Sequence, residues 1–226
     1  AGSALSSGEL AGSAMLNTHI SAAVAALVWM TVEWASRGKP SVLGILTGAV
    51  AGLGTITPAA GYVEPWAAMV IGFAAGLVCY WASVVLKNKL GYDDSLDVFG
   101  VHAIGGIIGA IGTGIVVSQD LGGTGIADYA AGGKMVDIVI RDQVLSQLWG
   151  VGTAVLWSGV TSFVLFKLID LVISLRVSEE AVREGLDVKR RFGRLVFADW
   201  SRADVAELER LITKLADTMA ERTDST

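Results

Sequence analysis

The residues able to do chemistry in this 226-residue chain are few, and they stand where charge is expensive. His102 lies in the apolar run DVFGVHAIGGIIGA, five residues after Asp97 and about a turn and a third into a helix-length stretch. Apolar surroundings favour a neutral imidazole, with one nitrogen as donor and the other as acceptor. Ionisable groups at membrane depth usually face a cavity or a pathway, because lipid offers them no partner. A satisfied packing histidine is the competing reading, and the residue alone leaves both open. His19, in NTHISAA, carries only the packing reading. The single cysteine, Cys79, sits in an apolar run and excludes a disulfide framework or a cysteine-based metal site within one chain. The Gly-rich DLGGTGIADYAAGG has neither a preceding buried strand nor the Lys-Ser/Thr of a phosphate loop, so it reads as a flexible connection. With no nucleophile and no ligand cluster in the pattern, an enzyme is the poorest reading, and neither a cofactor nor a metal is expected.

The elements that must position His102 follow from composition. The chain is 53% apolar and 17% charged, with a mean hydropathy of +0.58, against about 25% charged in an ordinary soluble domain. Residues 1–174 carry 7 Lys/Arg and 11 Asp/Glu, whereas residues 175–226 carry 10 and 11. The first part is built for lipid and the second for water, so the net charge of −5 gives no basic face for nucleic acid. Five stretches, residues 10–34, 42–60, 65–86, 98–117 and 143–175, are long enough to cross a hydrocarbon core of about 30 Å at about 1.5 Å per residue. Turn chemistry separates them: SRGKPS, AAGYVEP, KNKLGYDDSLD and SQDLGGTGIADYAAGGK. Arg37, Lys39, Lys87, Lys89 and the basic tail all fall on one side, which the positive-inside rule makes cytoplasmic; Lys134 and Arg141 on the other side count weakly against it. Glycines recur at helix spacing, at Gly44, Gly48 and Gly52, Gly72 and Gly76, and Gly105 and Gly109, as packing ridges between membrane helices. An odd number of spans fits half of an inverted-repeat transporter, and AGSALSSGEL, with no initiator Met or signal-peptide pattern, reads as the end of a preceding segment.

The strings AGSAL, EW with GKPSVLG, GAVAGLGTITPAAGYVEP, GYDDSLDVFGVHAIGGIIGAIGTGI, WSG and LRVSEEAVREGLD resemble, in order and spacing, the second half of the ammonium transporter family (Amt/Mep/Rh). The resemblance implies an all-α polytopic membrane protein in the cell membrane: the five-helix second repeat of an eleven-helix fold, in a homotrimer whose subunits each hold a pore between two repeats. It places His102 at the second of the family's twin pore histidines and Val98 at a pore-lining position one turn earlier. Ser3 falls at the serine that helps bind ammonium in the outer vestibule, and Asp97 at an acidic position beside the pore, expected to cap and place the helix. The first pore histidine, the gate phenylalanines, the vestibule tryptophan and the deep aspartate of the first repeat have no counterpart. The implied organisation is residues 1–8 as the end of a joining helix and outer loop, 9–175 as five spans, 176–200 as a cytoplasmic region, and 201–226 as an amphipathic helix or linker.

After REGLD the chain departs from the family's usual ending. Ser201 and Asp204 resemble a helix cap, and Val205, Leu208, Ile212, Leu215 and Met219 follow at a/d spacing. That stripe fits trimer sealing, a lead into an output domain, or packing on its own subunit. Two functions from different classes compete: a transporter or channel passing ammonium as ammonia along histidine, and a sensor that signals through the tail. A truncated product without a working pore is a third. Ammonium and ammonia, lipid and a cytoplasmic PII-type protein or fused signalling domain are the partners implied.

Overall fold

The computed structural model describes residues 7–128, 130, 132–173 and 180. Ser3, the basic cluster at residues 189–194 and the 205–219 stripe lie outside them. The chain divides into two compact units, residues 1–159 and 160–226. The first holds helices α1 (Glu9–Arg37), α2 (Val42–Ile56), α3 (Pro65–Leu90) and α4 (Phe99–Val116), a two-stranded sheet, and the start of α5 (Ile140–Val172). Of the second, the rest of α5 and its immediate continuation are described, together with residue 180.

Local chemistry fixes the helix ends. The α1 helix stops at Gly38, whose φ of 77° is left-handed and whose N–H donates to the Trp34 carbonyl. Ser41 opens α2 by accepting from the Gly44 N–H at 3.0 Å. Pro65 occupies the first turn of α3, where a missing N–H costs nothing.

Four helices, α1, α3, α4 and α5, are long and apolar enough to cross a membrane; α2 is shorter. The second expected span, residues 42–60, is therefore cut at Ile56. Its 15 residues rise about 22 Å against a core of about 30 Å. The cause is Pro58, which has no N–H to bond the Gly54 carbonyl. Beyond it the ladder tightens, with Ala59 N–H bonding Ile56 and Tyr62 N–H bonding Ala59. The α5 helix begins at Ile140, earlier than expected from the apolar run, and buries no side chain.

The α1 helix is the post of the bundle. Its buried stripe, Ala14, Asn17, Ser21, Ala25, Trp29 and Glu33, recurs every third or fourth residue and meets α2 and α3. The glycine ridges of α2 and α3 seat there. A β-carbon on Gly52 would lie 2.5 Å from the Ser21 carbonyl oxygen, and one on Gly72 2.6 Å from the same atom. Such approach is open only to glycine, and in lipid this van der Waals contact supplies the association. The cores are correspondingly small: Ala59, Ala67, Ala68 and Ile56 at one end, and Trp29, Ala51, Cys79, Tyr80 and Val101 at the other, where Trp29 and Tyr80 stack edge-on at 5.3 Å.

The connection between α4 and α5 is more ordered than a flexible loop. Residues 126–128 pair antiparallel with 134–136, Ile126 opposite Val136, and Gly125 N–H bonds the Val117 carbonyl. Strands of three residues leave no periodicity to read in a sequence.

Candidate functional site

Two aspartates of the α3–α4 turn, with Lys87 at the end of α3, set the start of α4. Asp94 accepts from the backbone N–H groups of Val98 and Phe99, both at 2.9 Å, satisfying two donors that the first turn leaves free. Asp97 has φ 55°, the one left-handed non-glycine among the described residues, a conformation that aspartate tolerates better than most. Its carboxylate accepts from Lys87 Nζ at 2.5 Å, and the same ammonium donates to the Asp94 carbonyl at 2.9 Å. The capping carboxylate is thus Asp94, while Asp97 ties α4 to the end of α3. Asp94 was missed in the sequence; its place four residues ahead of an apolar run is the signal that could have found it.

From this start His102 follows after one turn. Its ring is exposed, with Nδ1 4.0 Å from where a β-carbon would stand on Gly54 of α2. Val98 is also exposed, at 50%. Gly100, Val101, Gly105 and Gly109, on other faces of α4, are buried. Of the sequence-read residues, Val98 and His102 thus stand at the start of α4, and Asp97 just ahead of it is turned to Lys87. His19 is remote in role: exposed on α1, its Nδ1 lies 2.8 Å from the Met15 carbonyl of its own helix.

A second polar group lies at the same end of the bundle. Glu33 is 4% exposed, and its carboxylate accepts from Ser41 N–H (3.0 Å), Ser41 Oγ (3.0 and 3.1 Å) and Arg37 Nη1 (3.4 Å). A cavity of about 260 Å³ separates this cluster from the Lys87–Asp97 pair, with Tyr80 and Ser83 on its wall. Among the described residues no cluster of His, Cys, Asp and Glu has metal-ligand geometry.

Apolar helices long enough to span, wound together on glycine seams, define a multi-pass helical membrane protein. The sequence pattern of the Ammonium Transporter Family matches residues 1–193. An ammonium transporter of Aquifex aeolicus is 43% identical over 180 residues, covering 80% of this chain and 40% of that protein. The crystal structure of Saccharomyces cerevisiae Mep2 superposes with TM-score 0.64 at 32% identity, over 76% of this chain and 38% of that one. A solved sensor Amt protein superposes with TM-score 0.71 at 28% identity, over 83% and 44%. The chain belongs to the ammonium transporter family and spans less than half the length of these relatives.

Proposed function

We propose that this chain is the second repeat of an eleven-helix ammonium transporter, that α4 forms one wall of its pore, and that His102 is the polar group on that wall. The observation that carries the reading is the exposure of His102 and Val98 on a helix whose neighbouring faces are sealed by glycine contacts. A face left open beside Gly54, in a family member covering less than half of its relatives, is where the first repeat completes the passage.

Such a wall offers no ring of charges or carbonyls, so it cannot replace the hydration shell of a bare metal cation. A neutral imidazole can donate to and accept from ammonia. Ammonium gives up its proton on the outer side, crosses as ammonia along the imidazole, and is reprotonated inside; potassium has no proton to give. Ser3 would serve the outer vestibule, and Asp97 would hold the inner end of α4 in place. The basic loops at Arg37 and Lys87 and the C-terminus face the cytoplasm, in a homotrimer in the cell membrane.

The test is ammonium flux in proteoliposomes of the full-length protein against a His102→Ala variant. The reading requires selective ammonium flux over potassium in the parent and a loss of about tenfold or more in the variant. Equal flux in both would refute it.

The sensor Amt superposition and the substituted tail favour a second reading, in which the same fold binds ammonium and signals through residues 201–226 to a PII-type protein or a fused domain. Replacing Leu208 and Leu215 by Asp separates the two: a sensor loses ammonium-dependent signalling, whereas a transporter with a passive tail keeps its flux unchanged.

A further inference from the structure

Two helical turns in this bundle close on the fifth residue instead of the fourth, and they touch each other. Ala82–Leu86 lies near the end of α3 and Phe99–Ile104 opens α4, around His102. Turns of this kind occur mostly as single insertions in α-helices, and often at functional sites.

In their contact Gly100 lies directly against Ser83. A β-carbon on Gly100 would meet Ser83 Oγ, and would lie 2.9 Å from the Ser83 backbone nitrogen and 3.1 Å from its Cα. Ser83 is 4% exposed, and its hydroxyl has no hydrogen-bond partner among the described residues. Farther along α4 the next close approaches are Gly105, where a β-carbon would stand 2.8 Å from Thr55 Oγ1 and 3.4 Å from Cys79 Sγ, and Gly109 against the Thr55 backbone.

The spacing carries the inference. In an α-helix, residues five apart diverge in direction, while those three or four apart share a face. A turn closed on the fifth residue brings Gly100 and Gly105 onto one seam against α2 and α3. His102, between them in sequence, is thereby directed off that seam, past Gly54 of α2, where it is exposed.

We propose that the Ser83–Gly100 contact between the two wide turns is a positioning device for His102: it sets the direction of the imidazole, and a side chain at position 100 turns the ring out of the pore. This deepens the proposed function and rests on His102 being the pore histidine. Gly100 and Ser83 touch no substrate; they act through the direction of α4.

The experiment uses the full-length protein in the membrane with His102→Cys as a reporter, labelled by a water-soluble thiol reagent. Cys79 is buried, and signal is read against the parent lacking the reporter. Gly100→Ala should change the labelling rate by about fivefold or more, since thiol reactivity follows exposure. Gly112→Ala is the control, the same change on the same helix where a β-carbon meets Ile71 Cγ1 at an ordinary 3.9 Å, and it should stay within about twofold. With His102 present, Gly100→Ala should also shift the methylammonium-to-ammonium flux ratio by about threefold or more, which a loss of folded protein alone would not do.

Should Gly100→Ala fail to insert, the Gly100→Ala, Ser83→Gly pair removes the hydroxyl clash but keeps the 2.9 Å approach to the backbone nitrogen of residue 83, so the same two shifts are expected, read against Ser83→Gly alone. Labelling of the Gly100→Ala protein within about twofold of the reporter parent, or an equal shift from Gly112→Ala, overturns the proposal. A parent without ammonium flux, with the labelling shift intact, refutes the transport reading and leaves the positioning standing.

Discussion

Asn17 is the residue on which the packing of this bundle can be tested most sharply. It lies in the third turn of α1, 1% exposed, and its Nδ2 donates to the Ala60 carbonyl at 2.9 Å and to the Val63 carbonyl at 2.7 Å. Both acceptors belong to the turn forced by Pro58, where the helical ladder has ended and the backbone needs outside donors. Asn17→Ala removes two hydrogen bonds and strands two buried carbonyls. At about 1–3 kcal/mol for each stranded group, the loss is about 2–6 kcal/mol. For a chain of this size that lowers the melting temperature by about 5–15 °C.

Asn17→Asp keeps the shape but turns a carboxyl oxygen toward the two carbonyls, so only its protonated form can donate. In its ionised form it meets both carbonyls with an acceptor and buries an unpaired charge. At neutral pH this variant should therefore melt below Asn17→Ala. Thr18→Val is the control. Thr18 Oγ1 donates to the Ala14 carbonyl of its own helix at 2.6 Å, and its loss should cost about 1 kcal/mol or less. Melting curves of the detergent-solubilised protein, followed by tryptophan fluorescence, decide it. Asn17→Ala within about 2 °C of the parent would refute the clasp.

Glu33→Ala leaves the Ser41 N–H and hydroxyl without their acceptor and should cost about 2–4 kcal/mol by the same melt; Arg37 adds little, being half exposed. Gly72→Val drives a branched side chain into the Ser21 backbone and should abolish assembly of α3 on α1, read as loss of monodisperse protein on size exclusion. Gly106→Ala, with nothing within 4 Å of the added carbon, should leave the profile unchanged.

Much of this arrangement was legible in the sequence because lipid imposes simple rules. Long apolar runs gave α1, α3, α4 and α5 to within a few residues. The ridges at Gly44, Gly48 and Gly52 and at Gly72 and Gly76 were readable as packing faces, and they do pack on α1. What hydropathy averages over was lost. A window centred on residues 42–60 cannot see that Pro58 lacks a donor, so the end of α2 at Ile56 and the turn clasped by Asn17 were hidden. In sequence Asn17 was only a polar interruption; its purpose depends on two carbonyls more than 40 residues away.

The candidate site divides in the same manner. The depth of His102 could be counted from Asp97, but its direction is set by the wide turns around Gly100 and Ser83, which arise from the packing of α3 on α4 and leave no periodic trace. In sequence only Asp97 was read as the residue that caps and places the helix, and Asp94 was passed over. Which carboxylate caps and which one pairs with Lys87 is decided by the left-handed backbone at Asp97.

The most direct test of the central claim is a cryo-EM structure of the full-length protein in lipid nanodiscs, resolved well enough to place the His102 ring. The account predicts the imidazole beside Gly54, facing a narrow apolar passage whose other wall comes from outside residues 7–173. A ring packed against lipid, or enclosed by its own helix with no passage beside it, would contradict it.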